Sequence, residues 1–265
     1  MIKHLLKKII INVKIFFAGL GKKNKCLICG SDRDISLLFK GWPYYYLKCA
    51  ACDLVFIGNR PSRRMYRSYV QKGHLSNFRV EHKQDWKAWQ DWKIITYRNL
   101  GFSDLVNSAQ AAKKVLEIGC GEGRQLEIFK QRNWEVLGVE PNRDYCLQCK
   151  AQGIEVINKY IEDVEFPDGS FDLVITTHVL EHLRDPRILI KKVFKFLKPG
   201  GRLILEIPLT VEYDAPEHLF IFSEESLERL MSDNNFTIIK GLKYQDKLYH
   251  MDNLALIAEK NGEKK

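Results

Sequence analysis

Val115–Gly123 reads VLEIGCGEG, an apolar run that stops at Ile118 and gives way to Gly119, Gly121 and Gly123. A short apolar run of this kind is a buried strand, and the glycines mark a tight turn into a helix beginning near Gly123. Glycines there let the backbone approach a ligand and aim N–H groups at its polar atoms. Downstream, strand patterns recur at WEVLGVE (134–140), IEVIN (154–158), FDLVITT (171–177) and GRLILEIP (201–208). Helix starts fall between them near Asn142 and Asp185, and after them near Ser223. FTIIKGLKY (236–244) and NLALIAEK (253–260) close the series with only a short connection, which predicts an antiparallel insertion for the last strand. The alternation predicts an α/β fold with a largely parallel sheet covered on both faces.

A GxGxG turn alone marks any Rossmann-like nucleotide site, but neighbouring residues narrow it. Glu140 ends the second strand, where a carboxylate can accept both hydroxyls of a ribose. Glu117 precedes the turn by two residues and suits an ammonium group. FPDGSFDLVITTHVLEHLRDP (166–186) sets a polar cluster at the end of the fourth strand, and FLKPGGRLILEIP (196–208) enters the fifth. Over Trp86–Lys260 these blocks resemble, in order and spacing, the class I S-adenosylmethionine-dependent methyltransferases. The resemblance implies a Rossmann-like seven-stranded methyltransferase sheet with S-adenosylmethionine as cofactor. It places Glu117, Gly119, Cys120, Gly121 and Gly123 about the methionine part, Glu140 on the ribose, Thr177 at the end of strand four, and 160–163 beside adenine. Tyr160 stands where many relatives carry Asp, so adenine falls to the Ile161 backbone and the Glu162 or Asp163 carboxylate.

Methyl transfer from a sulfonium asks the protein to align donor and acceptor and, for a hydroxyl acceptor, to remove a proton. His178 is the first candidate for that base and His218, in APEHLF (215–220), the second. Each has a plainer role open to it: a hydrogen bond to the cofactor carboxylate for His178, a loop tether for His218. His182 is expected to be structural.

Cys26, Cys29, Cys49 and Cys52 form two CxxC pairs nineteen residues apart. Two such turns at the ends of a hairpin supply a closed tetrahedral shell of four thiolates, which favours structural Zn2+ and would also take iron. Gly30 and Asp53 follow the two turns, where a positive φ is usual. Cys146 and Cys149 repeat the spacing but sit inside a predicted helix without a second pair. Seven cysteines, an odd count, and no convincing secretion signal suggest a reducing cytoplasm.

The net charge of +9 is uneven. Residues 1–25 carry seven Lys and no acid, 58–83 seven Lys or Arg against Glu81, and the chain from Gln84 onward is net acidic. Met1–Leu20 places Ile2, Leu5, Leu6, Ile9, Ile10, Val13, Phe16, Phe17 and Leu20 on one helical face, with Lys on the other. That pattern fits either a helix in peripheral contact with an anionic membrane or one packed on its own protein. Arg60, Arg63, Arg64 and Arg67 could grip a pyrophosphate or line a solvated helix face. Trp86, Trp89, Lys93 and Tyr97 read as a packing stripe. The chain thus divides into a basic amphipathic helix (1–24), a β-rich zinc ribbon (25–58), a basic and aromatic helical connector (59–112) and the cofactor-binding domain (113–265).

A narrower resemblance runs through the CxxCGS…CxxC ribbon, Pro61, Ser62, Tyr66 and Tyr69, HVLEH (178–182) and EHLFIFSEESLERL (217–230). It is similar to bacterial ribbon-bearing methyltransferases found with polysaccharide enzymes. Larger members that methylate sugar carbons carry a further C-terminal domain absent from this sequence, which turns the expectation to O-methylation. The substrate implied is a small-molecule nucleotide sugar or a lipid-linked glycan precursor. The alternatives are an rRNA methyltransferase and a non-catalytic cofactor-binding scaffold. The acidic body is a poor surface for nucleic acid.

Overall fold

The computed structural model describes residues 24–41, 44–71, 86–102, 113–209, 218–246 and 251–262. The expected amphipathic helix lies, Asn24 aside, outside the described residues. β1 (Ile35–Lys40), β2 (Tyr45–Cys49) and β3 (Val55–Ile57) form an antiparallel meander. Helices α1 (Arg63–Gln71) and α2 (Trp86–Asn99) follow. The chain then alternates through β4 (Lys114–Ile118), α3 (Arg124–Lys130), β5 (Glu135–Val139), α4 (Arg143–Ala151) and β6 (Glu155–Ile157). It continues with β7 (Phe171–Thr177), α5 (Pro186–Phe196), β8 (Leu197–Pro208), β9 (Phe220–Ile221), α6 (Glu224–Ser232), β10 (Phe236–Gln245) and β11 (Asp252–Lys260).

The helix starts are those the sequence predicts, each for a local reason. Gly123 sits at φ 83 ahead of α3, and the Asn142 side chain accepts from the backbone N–H of Asp144 and Tyr145. Asp185 caps α5 with Pro186 in the first turn, and Ser223 and Ser226 form a capping box on α6.

β10-β11-β8-β7-β4-β5-β6 make a seven-stranded sheet. β4 to β8 run parallel, while β11 is inserted antiparallel between β8 and β10, as expected. Alternate strand residues enter different cores, because successive side chains point to opposite faces. Leu116, Val174, Leu203 and Leu205 pack with α5 and α6, whereas Val115, Leu173, Ile175 and Ile204 pack with α2, α3 and α4. The strand order reverses at β4, so a crevice opens where the loops after β4 and β7 diverge. Open α/β sheets bind ligands there.

β1-β2-β3-β9 make a second sheet. Its fourth strand comes from the far side of the chain: Val55 and Phe56 pair with Ile221 and Phe220, and Ile57 N donates to Leu219 O at 3.0 Å. One core runs through both sheets, with Tyr46, Leu54 and Phe56 packed in continuity with Leu180, Leu219 and Phe220. The cysteine meander is thereby bolted to the segment that carries His218.

Candidate functional site

The glycine turn closes onto β5 through Gly119 N, which donates to Val139 O at 2.8 Å. Gly119 and Gly121 both have positive φ, 74 and 52. Their reasons differ. A Cβ on Gly119 would stand 2.3 Å from Val179 Cγ2, so the loop after β7 needs that room, whereas nothing lies within 4 Å of one on Gly121. The open side of the turn is therefore at Gly121. Cys120 is buried with its sulfur toward β5, where a Cβ on Gly138 would meet it at 2.5 Å, and its thiol lies 3.8 Å from Gly121 O. Cys146 and Cys149 are buried helix residues on α4, and the Cys149 thiol donates to Gly121 O at 3.2 Å.

Two carboxylates flank the turn. Glu140 accepts from Gly121 N at 3.0 Å and from Asn142 N at 2.8 Å. Glu117 accepts from Gln125 Nε2 at 2.7 Å, while its other oxygen is buried with no hydrogen-bond partner among the described residues. Burial pushes the Glu117 carboxyl well above the usual carboxylate range. Gln125 also donates to Thr177 Oγ1 at 3.1 Å and accepts from the Tyr97 hydroxyl. Sequence reading passed over this bracket; a glutamine in the first turn after the glycines was the available signal.

The segment after β6 separates its two acids. Asp163 is paired with Arg63 at 3.0 Å and Arg67 at 2.5 Å, and Arg67 also lies 4.2 Å from the Tyr160 ring centroid. Ile161 is buried, and one oxygen of Glu162 is buried without a partner among the described residues. Three members of the arginine run have protein partners. Arg63 and Arg67 are committed to Asp163, and Arg60 donates to Arg184 O at 3.1 Å beside the Phe220 ring.

A buried charge chain occupies the end of β7. Lys93, 1% exposed within the tryptophan row of α2, is ion-paired with Glu206 on β8. The row is a packing stripe with a cation in its middle. Burial favours the neutral acid, yet Lys93 and His178 hold Glu206 ionised, with its pKa down at about 2. His178 has φ 53, and its nitrogens face Glu181 Oε1 at 3.5 Å and Glu206 Oε1 at 3.6 Å. Burial opposes its charge, but the two carboxylates prevail and raise its pKa to about 9. With both nitrogens turned to carboxylates, His178 has no lone pair to offer. His218 differs: burial pushes it down to about 4, and its Nδ1 has no partner among the described residues.

The four N-terminal cysteines converge. Cys26 and Cys52 sulfurs are 3.6 Å apart, Cys29 and Cys49 3.5 Å, and all four lie within 4.8 Å of one another. Metal–sulfur bonds of about 2.3 Å in a tetrahedron set sulfur–sulfur edges at roughly 3.8 Å, so the donor set fits one such ion. Gly30 and Asp53 hold the positive φ, 77 and 56, that the two turns were expected to need.

A family model described as a methyltransferase domain matches residues 96–240. The chain is 26% identical over 155 residues to a ubiquinone biosynthesis O-methyltransferase of Acinetobacter baumannii, a match covering 55% of this chain and 64% of the relative. It is 33% identical over 119 residues to the protein of the same name from Idiomarina loihiensis, covering 39% and 46%. It thus spans less than two thirds of either relative. In fold it is similar to 1,6-didemethyltoxoflavin-N1-methyltransferase of Burkholderia thailandensis, solved with bound 1,6-didemethyltoxoflavin and S-adenosylhomocysteine. The TM-score is 0.59 at 14% identity, covering 86% of this chain and 100% of that one.

Proposed function

The chain belongs to the methyltransferase-domain family, and from that premise we propose that it moves the methyl group of S-adenosylmethionine to a hydroxyl oxygen of a small molecule. The observation that carries this is the buried, unpartnered Glu117 oxygen beside the open glycine turn at the strand-order reversal. An ammonium group would satisfy that oxygen. Gly119, Cys120, Gly121 and Gly123 then offer backbone to the methionine part, and Thr177 closes its far side. Glu140 takes the ribose, and Ile161 and Glu162 take adenine.

The cofactor supplies a methyl group on a good sulfonium leaving group, so the residues need only orient the acceptor and draw off its proton. We place the acceptor over His178 and His218. His178, clamped between Glu181 and Glu206, shapes the floor, and the proton is lost on the His218 side. The acceptor class proposed is a sugar in a nucleotide-sugar or lipid-linked glycan precursor. Support comes from the ribbon and EHLFIF blocks, which share one sheet beside His218. A precursor in ubiquinone biosynthesis is favoured only by the names of the two curated relatives. Cys26, Cys29, Cys49 and Cys52 are proposed to hold one structural Zn2+, which metal analysis of untagged protein checks: about one ion per chain is expected, and near zero refutes it.

Radiolabelled methyl donor offered with nucleotide sugars, lipid-linked glycans, ubiquinone precursors and rRNA tests the acceptor class. Label is expected in a sugar hydroxyl. Label only in rRNA or in a phenol would overturn the sugar assignment, and no transfer to any acceptor would favour a scaffold.

A further inference from the structure

The turn after β7 and the approach to β9 meet at a second group of ligand-type side chains, outside the cofactor cradle and far in chemistry from the four thiols. Glu181 is 1% exposed, and neither of its oxygens accepts a hydrogen bond among the described residues. His178 Nδ1 faces it at 3.5 Å, and His182 Nε2 lies 3.9 Å away. His218 Nδ1 is likewise buried without a partner among the described residues, and the His182 and His218 ring centroids are 4.8 Å apart. One donor atom each from Glu181, His182 and His218 lies within 4.8 Å of the other two. The backbone between them is fixed, since Leu219 N donates to Glu181 O at 2.8 Å and Leu219 O accepts from Ile57 N at 3.0 Å.

Apart from the long contact to His178, this buried carboxylate has no hydrogen bond on either oxygen among the described residues, a costly arrangement that native proteins rarely leave. Water could fill it. Two imidazoles beside the carboxylate instead make the donor set that first-row divalent metals take, from manganese and iron to zinc. We propose that Glu181, His182 and His218 form a binding site for one divalent first-row metal ion, separate from the four-cysteine centre. Metal bonds of about 2.0–2.2 Å need donor atoms roughly 3–3.5 Å apart, so ion binding would draw together three donors that now lie within 4.8 Å of one another. A hydroxyl bound to such an ion loses its proton more readily. His218 would then act through the ion rather than as a free base. That use rests on the acceptor position proposed above; ion binding itself does not.

Manganese is the probe of choice, because it prefers oxygen and nitrogen donors and leaves a zinc-filled thiolate site alone. Untagged protein adjusted to one Zn2+ per chain, the share of the thiolate centre, is titrated with Mn2+ while free ion is followed by electron paramagnetic resonance, and S-adenosylhomocysteine binding is measured on the same samples by calorimetry. One Mn2+ per chain is expected. Glu181→Gln and His218→Gln should each weaken it at least about tenfold, the lower range for disturbing a metal's surroundings, with S-adenosylhomocysteine affinity unchanged. No Mn2+ binding by the wild-type protein at millimolar ion, or equal binding by both variants, overturns the site. Retained S-adenosylhomocysteine binding in that case leaves the methyltransferase proposal standing; loss of both removes both. Should Glu181→Gln fail to fold, shown by loss of S-adenosylhomocysteine binding, the less buried His218→Gln decides the matter.

Discussion

Glu117 is a buried acid with one oxygen held by Gln125 and the other waiting. Its pKa lies well above that of an unfolded glutamate, about 4.3, because burial disfavours the charge. The sign follows: the ligand-free fold gains from Glu117 below the unfolded value and loses that gain as pH climbs toward the folded one. Glu117→Gln is therefore expected to flatten the fall in stability above about pH 4.3, measured by denaturant unfolding across pH. Binding an ammonium reverses the balance and ionises the acid. At any pH where the ligand-free acid is still protonated, S-adenosylhomocysteine binding should then release a proton, seen as a calorimetric enthalpy that changes with the buffer's ionisation enthalpy. A buffer-independent enthalpy would mean that no proton leaves Glu117.

Within the elements, the row Trp86, Trp89, Lys93 and Tyr97 on α2 shows where sequence reading stops. Helical spacing identifies its buried face, but not that Lys93 reaches Glu206 on β8. That pairing joins residues 113 positions apart, and no periodicity encodes it. Lys93→Met should destabilise the protein by about 3 kcal/mol, the low end for breaking a buried pair, since His178 remains as a counter-charge. Lys93→Met with Glu206→Gln should recover part of that loss. Urea unfolding of both variants decides it, and a single variant as stable as wild type would deny the pair any structural role. By contrast, the strands of the large sheet and the caps Asn142, Asp185 and Ser223 were legible, because apolar runs and cap chemistry are local signals. β9 was not, since Phe220–Ile221 is two residues long and forms only by pairing with β3. Gln125 escaped for the same reason: its partners Tyr97, Glu117 and Thr177 come from three other elements.

Taken as a whole, the molecule separates its charge from its cradle. The basic first third precedes a net acidic body, and among the described residues no helix is long and apolar enough to cross a membrane. If residues 1–20 form the interfacial helix their pattern predicts, each surface Lys adds about 1 kcal/mol on an anionic bilayer, and salt weakens it. Flotation with anionic liposomes should carry the full chain at low salt and not a chain lacking 1–20. A full chain that stays soluble assigns the helix to packing instead. Independently of that segment, the central claim is that the crevice beside β4 holds S-adenosylmethionine through Glu117, Gly121 and Glu140. Calorimetric titration of S-adenosylhomocysteine into wild-type protein and Glu140→Ala tests it most directly. One ligand per chain is predicted, weakened by about 1.5–3 kcal/mol in the variant through loss of hydrogen bonds to a charged group. No binding by the wild-type protein, or equal affinity in the variant, would contradict the account.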